Sequence, residues 1–365
     1  MVEQQRHEET SLRLAPLGET PFVSIVIPCY NEERYIEAVV RGALGQSYPA
    51  ERMEILVVDG RSSDRTRAIV RELAREDARI QLLDNPRRYQ SAAMNVAIKC
   101  SRGEVIVRMD AHAEYAVDYV AASVAVLRET GALNAGGAAR ARHRGSFQRA
   151  LCAALTSPLG VGGSAYRDPS REGFVESVWN GAFRREAFEL AGLYDPDAAT
   201  NEDAELNQRI IAAGGSIYLS RDVVVYYYPR ESIDGLWHQY FSYGIGRART
   251  ALKLGRLLSL RPLVPFLTVT AFGLLAALAV IAPPAGALLA IGVAMYLGLI
   301  VAESIHVAAR EDLGLLPPII VIFLVMHLAH GIGFWAGLMK YAGVELNRAP
   351  LERLGHVRPA RTTRG

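Results

Sequence analysis

The charged residues of this 365-residue chain are distributed very unevenly. Only four of the 78 residues from Pro262 to Met339 are charged, whereas the other 287 residues carry 74 charges. A stretch this long and this poor in charge is typical of a segment that lies in lipid. The rest of the chain has the mixed charge of a globular domain. The sequence therefore predicts one polypeptide that occupies two solvents.

The overall composition excludes several classes of protein. The 40 basic and 38 acidic residues leave a net charge of only +2, which excludes a wholly basic nucleic-acid binder and an acidic disordered chain. The cysteines, Cys29, Cys100 and Cys152, are too few and too scattered for a disulfide framework, so a reducing compartment is expected. Residues 1–20 are polar and lack the apolar core of a signal peptide, which predicts that the first half stays in the cytosol.

Buried strands alternate with helices in the first third of the chain. We predict strands at VSIVIP (23–28), EILVVD (54–59), IQLLDN (80–85) and EVIVRMD (104–110), with helices between them. The first helix should begin near Glu32 with Asn31 as its N-cap. This alternation predicts an α/β fold with a mostly parallel sheet.

The following segment is less regular. Residues 131–173 are rich in Gly, Ala and Arg, and we predict loops there around one helix at 147–155. A helix should begin near Asn201, and SIYLSRDVVVYYYPR (216–230) should form a pair of strands. This half of the soluble region is expected to supply the second wall of a cleft.

Polar residues directly follow three of the predicted strands. They are Cys29-Tyr30-Asn31-Glu32, Asp59 and Asp110-Ala111-His112. Since ligands bind at the carboxyl ends of parallel strands, these residues should open onto one edge. The chain has no G-x-G-x-x-G after the first strand and no P-loop motif, so a Rossmann dinucleotide site and a P-loop are not supported.

Two pairs of residues can carry chemistry, and each also has a purely structural explanation. Asp110 and His112 at a strand end can meet one divalent ion, but Asp110 can equally cap the next turn while His112 is merely exposed. Glu202 and Asp203 open a helix, where one carboxylate caps the helix and the other can act as a general base; capping alone explains the pair about as well.

The C-terminal third begins with an aromatic and basic stretch at 235–261, typical of an interfacial helix on an anionic leaflet, with an ordinary surface helix as the alternative. Three apolar runs follow, at 262–282, 285–302 and 315–339. Three crossings would export a basic tail against the positive-inside rule. The chain could therefore cross the membrane either two or three times. If it crosses only twice, the third run is our first candidate for a re-entrant segment.

Six sequence blocks occur in an order that resembles a known family. The blocks are VSIVIPCYNEERYI, EILVVDGRSSDRT, VRMDAH, WNGAFRREAFELAGLYDP, NEDAELNQRI and QYFSYGIGRART. Their order resembles the family 2 glycosyltransferases of the GT-A fold, and most of all the membrane-bound, succinoglycan-type (ExoA-like) enzymes that build bacterial exopolysaccharides. The resemblance covers about residues 21 to 340, including the apolar tail.

The resemblance implies a role for individual residues. Pro28, Tyr30, Glu32 and Asp59 match positions that hold the nucleoside of a UDP-sugar. Asp110 and His112 stand at the DxD motif, which binds Mg²⁺ or Mn²⁺ together with the diphosphate. Asp203, with Glu202 beside it as the second candidate, matches the catalytic base. The remaining matches, to positions that line the acceptor and diphosphate sites, are Asn180, Gly181, Gln239, Arg247 and Arg249.

Three departures from the family pattern affect these assignments. The second Asp of the common VDDGSSD is replaced by Gly60, so Asp59 alone must contact the nucleotide. His112 replaces the last Asp of DxD, and a neutral imidazole favours Mn²⁺ over Mg²⁺. Ser242 and Tyr243 stand at the Arg and Trp of Q-x-x-R-W, which argues against processive synthesis and shifts the diphosphate contact to Arg247 or Arg249.

The resemblance thus implies a metal-dependent, inverting hexosyltransferase that acts on a polyprenyl diphosphate-linked saccharide at the cytosolic face of the inner membrane. The expected partners are a nucleotide sugar, the lipid-linked acceptor, the bilayer and other polysaccharide-assembly proteins, with no nucleic acid. The expected parts are a leader (1–20), a GT-A domain (21–234), an interfacial segment (235–261), a membrane domain (262–339) and a basic tail (340–365). A polyprenyl-phosphate sugar synthase and an inactive sugar-binding subunit are the alternatives.

Overall fold

The computed structural model describes residues 14–161, 165–255 and 263–344. The described residues form two compact units. The first, which we call the sheet unit, comprises residues up to Arg140 together with Asp168–Tyr227. The second, the helical unit, comprises Ala141–Arg167 and the residues from Tyr228 onward. The predicted GT-A domain, 21–234, includes parts of both units, and its functional boundaries stay a prediction.

The strands all belong to one sheet. Within the described residues they are β1 (Val23–Cys29), β2 (Met53–Asp59), β3 (Ile80–Asp84), β4 (Val105–Arg108), β5 (Ala113–Tyr115), β6 (Asn134–Ala141), β7 (Gly173–Phe174), β8 (Ala182–Arg184) and β9 (Ile217–Tyr227). Every residue of β1 and β2 is buried. The four strands expected from apolar, β-branched runs are therefore present, because such runs suit a strand covered on both faces.

The helices differ in length between the two units. They are α1 (Ile36–Leu44), α2 (Thr66–Glu76), α3 (Gln90–Cys100), α4 (Tyr119–Thr130), α5 (Ser146–Ala154), α6 (Pro158–Val161), α7 (Glu186–Ala191), α8 (Glu202–Ala212), α9 (Ile233–Leu254), α10 (Leu263–Ala279), α11 (Pro283–Glu311) and α12 (Leu316–Tyr341). Helices of the sheet unit have at most 12 residues, whereas α9, α11 and α12 have 22, 29 and 26.

The sheet is mixed rather than mostly parallel. Its strand order is β3-β2-β1-β4-β8-β6-β9-β5, and β7 pairs with β9. The pairings among β3, β2, β1 and β4 are parallel, whereas β8 is antiparallel to β4 and β6, and β9 is antiparallel to β5 and β7. The expectation of βαβ units was correct for the first half only, because β8 runs antiparallel to both of its neighbours, β4 and β6.

Strand β6 contradicts the prediction of a loop in the Gly- and Ala-rich segment. The segment NAGGAARA forms eight residues of strand in the centre of the sheet. A Cβ atom at Gly137 would lie only 1.7 Å from the carbonyl oxygen of Val223 on β9. Glycine is therefore needed for a close approach of two backbones, a use of glycine in strands that the sequence pattern does not distinguish from a loop.

Two smaller predictions were also wrong. Residues 217–227 form one continuous strand, β9, rather than a strand pair, because Arg221-Asp222 does not form a turn. Helix α1 begins at Ile36, and Asn31 does not cap it. Asn31 instead has a φ of 54° and its side-chain oxygen accepts from the backbone N–H of Ser63 at 2.9 Å. This bond ties the loop after β1 to the loop after β2.

The helical unit is assembled around α9 and α12, which pack along each other. A Cβ atom at Gly333 on α12 would lie 2.1 Å from the carbonyl oxygen of Phe241 on α9. The α5–α6 segment also belongs to this unit: the Ser157 hydroxyl donates to the carboxylate of Glu303 on α11 at 2.6 Å, and Arg149 pairs with Asp312 at 3.1 Å. A segment with no apolar run of membrane length is thus joined to the apolar helices.

Two segments in the helical unit are long and apolar enough to cross a membrane, Pro283–Glu311 and Leu313–Tyr341. Helix α10 is shorter: its 17 residues span about 26 Å at 1.5 Å per residue, against about 30 Å for a bilayer core. Our choice of the third apolar run as the segment that fails to cross is therefore not supported by length, since α10 is the short one. The basic tail from residue 345 lies outside the described residues.

Candidate active site

The residues that follow β1, β2 and β4 meet at one edge of the sheet, as predicted. In the parallel register Cys29 lies beside Asp59, and Val26 lies beside Arg108, two residues before Asp110. The carboxyl ends of three adjacent parallel strands therefore present their following residues on the same side. This is where open α/β sheets bind ligands.

The predicted nucleoside contacts lie on the first loop of this edge. Pro28 is buried in β1 at the level of Val58, whereas the ring of Tyr30 is 42% exposed. The guanidinium of Arg88 lies 5.4 Å from the centroid of that ring. The N–H of Glu32 donates to the Thr66 hydroxyl at 2.8 Å, which fixes the loop over the start of α2. An exposed aromatic face with a cation beside it is a surface that suits a flat base.

Asp59 is completely buried, and both of its carboxylate oxygens have partners. One oxygen accepts from the Ser62 hydroxyl at 2.5 Å, and the other accepts from the Ser62 N–H at 3.0 Å and from Arg67 at 2.6 Å. Arg67 also bonds Asp84 and keeps 26% of its side chain exposed. Asp59 therefore holds the loop in shape, and its direct contact with a nucleotide stays a prediction.

Asp110 lies just beyond β4 and is buried among hydrogen-bond donors. Arg108 donates from Nε to Oδ1 at 2.8 Å, and Gln90 donates to the same oxygen at 3.0 Å. The backbone N–H of Asp110 donates to the hydroxyl oxygen of Tyr115. Burial opposes ionisation of this carboxyl, but the positive charge and hydrogen bonds of Arg108 outweigh it and hold the pKa of Asp110 below its usual value. Asp110 is thus an anion ready to bind a cation.

Glu202 and Asp203 begin α8 and reach the same guanidinium. Arg108 Nη1 lies 2.7 and 2.8 Å from the two carboxylate oxygens of Asp203 and 3.3 Å from Glu202. Burial and then the neighbouring Asp203 carboxylate raise the pKa of Glu202 to about 7. Burial also raises the pKa of Asp203, and Arg108 opposes that rise. Asp203 is the more accessible of the two, with 22% of its side chain exposed against 9%.

A divalent cation fits the charge of this cluster. The carboxylates of Asp110, Glu202 and Asp203 outnumber the one guanidinium of Arg108, so added positive charge would relieve their repulsion. The described part of the chain contains no group of three His, Cys, Asp or Glu side chains that could hold a metal alone. Asp110 and His112 would supply two ligands and leave the others to ligand oxygens. His112 is half exposed, with Nδ1 3.6 Å from a Glu32 oxygen.

Asn180 and Gly181 lie beside Asp110, as a sugar-lining loop would require. Asn180 has a φ of 46° and is fully buried, and its amide donates to the Tyr115 hydroxyl at 2.8 Å. Its side-chain oxygen has no hydrogen-bond partner among the described residues. The Gly181 carbonyl accepts from the N–H of Arg108 at 3.2 Å. The loop therefore places one unused polar atom next to the carboxylate cluster.

The other three predicted acceptor and diphosphate residues are on α9 of the helical unit. Gln239 donates to the Tyr243 hydroxyl at 3.0 Å, and Arg249 is buried with its guanidinium 5.8 Å from the centroid of the Tyr341 ring. Arg247 lies between them on the same helix. Whether these three residues contact a ligand of the sheet unit stays a prediction.

Sequence reasoning missed the residues that support the cluster. Arg108 lies inside the quoted block VRMDAH, yet it has no partner within the motif except Asp110. A charged residue inside a run of buried strand residues was the available signal, because a buried arginine needs carboxylate partners. Gln90 and Tyr115 lie 20 residues before and five residues after Asp110, and neither carries a signal in the sequence.

Comparisons with known proteins identify the family of this chain. The family model described as glycosyl transferase family 2 matches residues 24–191. The succinoglycan biosynthesis protein ExoA of Rhizobium meliloti (strain 1021) is 37% identical over 326 residues, covering 87% of this chain and 95% of the relative. A Methanococcus voltae enzyme is 28% identical over 334 residues, covering 87% of this chain and 98% of its own length. Its name is dolichyl N-acetyl-alpha-D-glucosaminyl phosphate 3-beta-D-2,3-diacetamido-2,3-dideoxy-beta-D-glucuronosyltransferase.

A solved structure supports the fold. The mannosyltransferase PcManGT from Pyrobaculum calidifontis, in complex with GDP-Man and Mn²⁺, aligns with a TM-score of 0.61 at 22% sequence identity. The alignment covers 92% of this chain and 94% of that structure, so the likeness extends beyond the sheet unit. The chain matches a relative along nearly the whole length of that relative, and the family model matches residues 24–191. The chain also shares the GT-A-like fold. It is therefore a member of glycosyl transferase family 2.

Proposed function

We propose that the protein transfers a hexose, with inversion, from a UDP-sugar to a saccharide carried on a polyprenyl diphosphate. The transfer would take place at the cytosolic face of the inner membrane during synthesis of an exopolysaccharide or another surface glycan. One observation carries the proposal: Asp110 at the sheet edge and Asp203 on α8 meet around one guanidinium. This contact supports a site in which Asp110 is a cation ligand and Asp203 is the base.

The donor would lie along the carboxyl edge of the sheet. Tyr30 offers an exposed ring for the base, while Pro28, Glu32 and Asp59 shape the loops around the nucleoside. The diphosphate would then extend toward Asp110. The unused side-chain oxygen of Asn180 can accept a hydrogen bond from a sugar hydroxyl, which gives the sugar a fixed orientation.

The transfer would be a single displacement. An acceptor hydroxyl oxygen forms a bond to the anomeric carbon while the bond from that carbon to the diphosphate oxygen breaks. The hydroxyl proton passes to the carboxylate of Asp203, and the departing diphosphate keeps the electron pair of the broken bond. Asp203 suits this role because burial raises the pKa of its carboxyl, which makes it a better proton acceptor, and because it is the more accessible of the two acids.

Asp110 and His112 are the residues that would hold a divalent cation, with oxygens of the diphosphate completing the coordination. When bound, such a cation supplies charge neutralisation for the leaving group. Imidazole and carboxylate together suit Mn²⁺ better than Mg²⁺, which prefers all-oxygen ligands. The chain itself keeps Asp110 anionic through Arg108 and keeps water from its carboxylate by burial.

The helical unit supports a lipid-linked acceptor. Two of its segments have the length and composition of membrane spans, and α9 carries the partly exposed Arg247 before the first apolar helix. Basic residues at a membrane surface attract anionic head groups. The Methanococcus voltae relative is named for an acceptor that is a dolichyl-linked sugar phosphate. We therefore prefer a lipid-linked saccharide over a soluble acceptor.

The decisive test is transfer of label into lipid. The purified full-length protein in detergent or liposomes is incubated with MnCl₂, a lipid-linked saccharide and a radiolabelled nucleotide sugar from a panel of UDP- and GDP-sugars. We expect label to enter the organic phase with at least one UDP-sugar. Bare polyprenyl phosphate serves as the second acceptor, and transfer to it alone would favour a polyprenyl-phosphate sugar synthase. No labelled lipid with any donor would contradict the proposal.

A further inference from the structure

Arg108 is the central residue of the active-site cluster, although neither the DxD motif nor the Glu202-Asp203 pair includes it. Its side chain is 4% exposed, and its guanidinium contacts Asp110, Glu202 and Asp203. Each of these three partners is a residue expected to act on substrate. A structural arginine of the same sheet behaves differently: Arg184 on β8, 3% exposed, pairs with Glu186 and with the carbonyl of Ala15.

The strand geometry explains why Arg108 can reach both walls of the site. Residues two apart on an extended chain point to the same face, so Arg108 and Asp110 lie side by side. The Nε and Nη2 edge of the guanidinium faces Asp110, at 2.8 and 3.3 Å. The remaining nitrogen, Nη1, faces Asp203 on α8. One planar group thus contacts two carboxylates that are 93 positions apart in the sequence.

We propose that Arg108 is a positioning residue, which sets the distance and orientation between the donor ligand Asp110 and the base Asp203. This inference rests on the proposed function. In a single displacement the base must lie on one side of the anomeric carbon and the leaving diphosphate on the other, so an error of about 1 Å between the two groups slows the reaction strongly. Arg108 connects them through its contacts with both carboxylates, while only 4% of its own side chain is exposed.

The shape of the guanidinium is essential to this role, and its charge alone is not sufficient. Lysine would carry the same charge to the same region, but its ammonium is a point donor that cannot bond two carboxylates along separate edges. Lysine at this position is therefore expected to keep one positive charge in the cluster and the protein folded, while the separation of Asp110 and Asp203 is no longer fixed. The Arg108→Lys variant therefore tests the geometry of the guanidinium separately from its charge.

The test compares Arg108→Lys with a matched control, Arg184→Lys. Both replace a buried strand arginine that has a carboxylate partner, but only Arg108 contacts the site. The measurements are kcat and KM with the nucleotide sugar that the wild-type protein uses fastest, binding of UDP with MnCl₂ by calorimetry, and thermal unfolding. We expect Arg108→Lys to lower kcat about 100-fold, within the range for a misplaced catalytic group, with UDP affinity changed less than about threefold. Arg184→Lys should keep kcat within about threefold.

Three results would overturn the inference. The first is a wild-type kcat in Arg108→Lys. The second is an equal fall of kcat in Arg184→Lys. The third is a loss of UDP binding that accounts for the whole loss of activity. Arg108→Met adds a second variant without the charge and should be slower than Arg108→Lys; if it does not fold, the lysine variant decides alone. An inactive wild-type protein would contradict the proposed function instead, so the two failures are distinguishable.

Discussion

The two units of this protein differ in the kinds of residue that they bury. The sheet unit buries charges and gives each one a partner, as with Arg108, Arg184 and Arg209, whose side chains are at most 4% exposed. The helical unit buries few charges and brings helices together at glycine, as at Gly333 against Phe241. A buried charge needs a counter-charge, whereas close packing at small residues is the way in which helices associate in lipid.

The outer surfaces differ in the same sense. On α11 the side chains of Ile291 and Met295 are 58% and 71% exposed. An exposed apolar surface of this length is unfavourable in water and neutral in lipid. The sheet unit, with its paired charges, is therefore the unit expected to carry out the chemistry. The helical unit, with its exposed apolar side chains, is the unit expected to hold the protein at the membrane.

Removal of the predicted base in the sheet unit should have the largest effect on transfer. Asp203→Asn keeps the size of the side chain but removes the proton acceptor, so transfer should fall about 1,000-fold, as is usual for a lost general base. UDP binding with MnCl₂ should stay within about threefold. The measurement is initial rates of transfer together with calorimetric binding. Glu202→Gln is the matched control, with a smaller effect; the reverse order would make Glu202 the base.

Removing the predicted cation ligand should have the next largest effect. Asp110→Asn loses the anion that Arg108 stabilises, and we expect the affinity for UDP in MnCl₂ to fall about tenfold or more and turnover to fall about 100-fold. His112→Ala removes a half-exposed side chain and should reduce the Mn²⁺ dependence of UDP binding by less than Asp110→Asn does. Titration of each variant with UDP, with and without MnCl₂, checks both. Equal UDP binding by Asp110→Asn and wild type in MnCl₂ would remove Asp110 from the donor site.

In the helical unit a single methyl group should be enough to disturb packing. Gly333→Ala places a Cβ 2.1 Å from the carbonyl oxygen of Phe241, so α9 and α12 must separate, at a cost of about 1–3 kcal/mol. Thermal unfolding of the protein in detergent measures the loss. Gly298→Ala on α11 is the control, because a Cβ there meets nothing within 4 Å. Equal melting temperatures for the two variants would contradict the close approach.

The smallest effect is expected at the bond between Ser157 and Glu303. Ser157→Ala removes a hydroxyl that donates to a carboxylate at 2.6 Å, which should cost about 1.5 kcal/mol, as for hydrogen bonds to charged groups. The same thermal assay applies. Thr268→Val is the control, since its hydroxyl bonds only the carbonyl of Val264 in its own helix. Equal destabilisation by both substitutions would mean that the bond contributes nothing to the unit.

The sequence predicted the parallel half of the sheet because each strand there is a local apolar run followed by a local polar group. The residues Tyr30, Asp59 and Asp110 were placed on one edge correctly for that reason. The antiparallel half was not predictable in the same way. Strand β6 is rich in glycine because it passes close to β9, and that neighbour is about 85 residues away in the chain.

What the sequence determined by itself was the division into charged and apolar regions, the strand-end acids and the family to which these motifs belong. Those properties depend on residues that are near one another in the chain, such as Asp110 after its strand or the charge-poor stretch from Pro262. Only the tertiary structure showed that α5–α6 joins the apolar helices and that Arg108 connects Asp110 to Asp203. A buried charge selects its partners by distance in space, and distance along the chain carries no information about that choice.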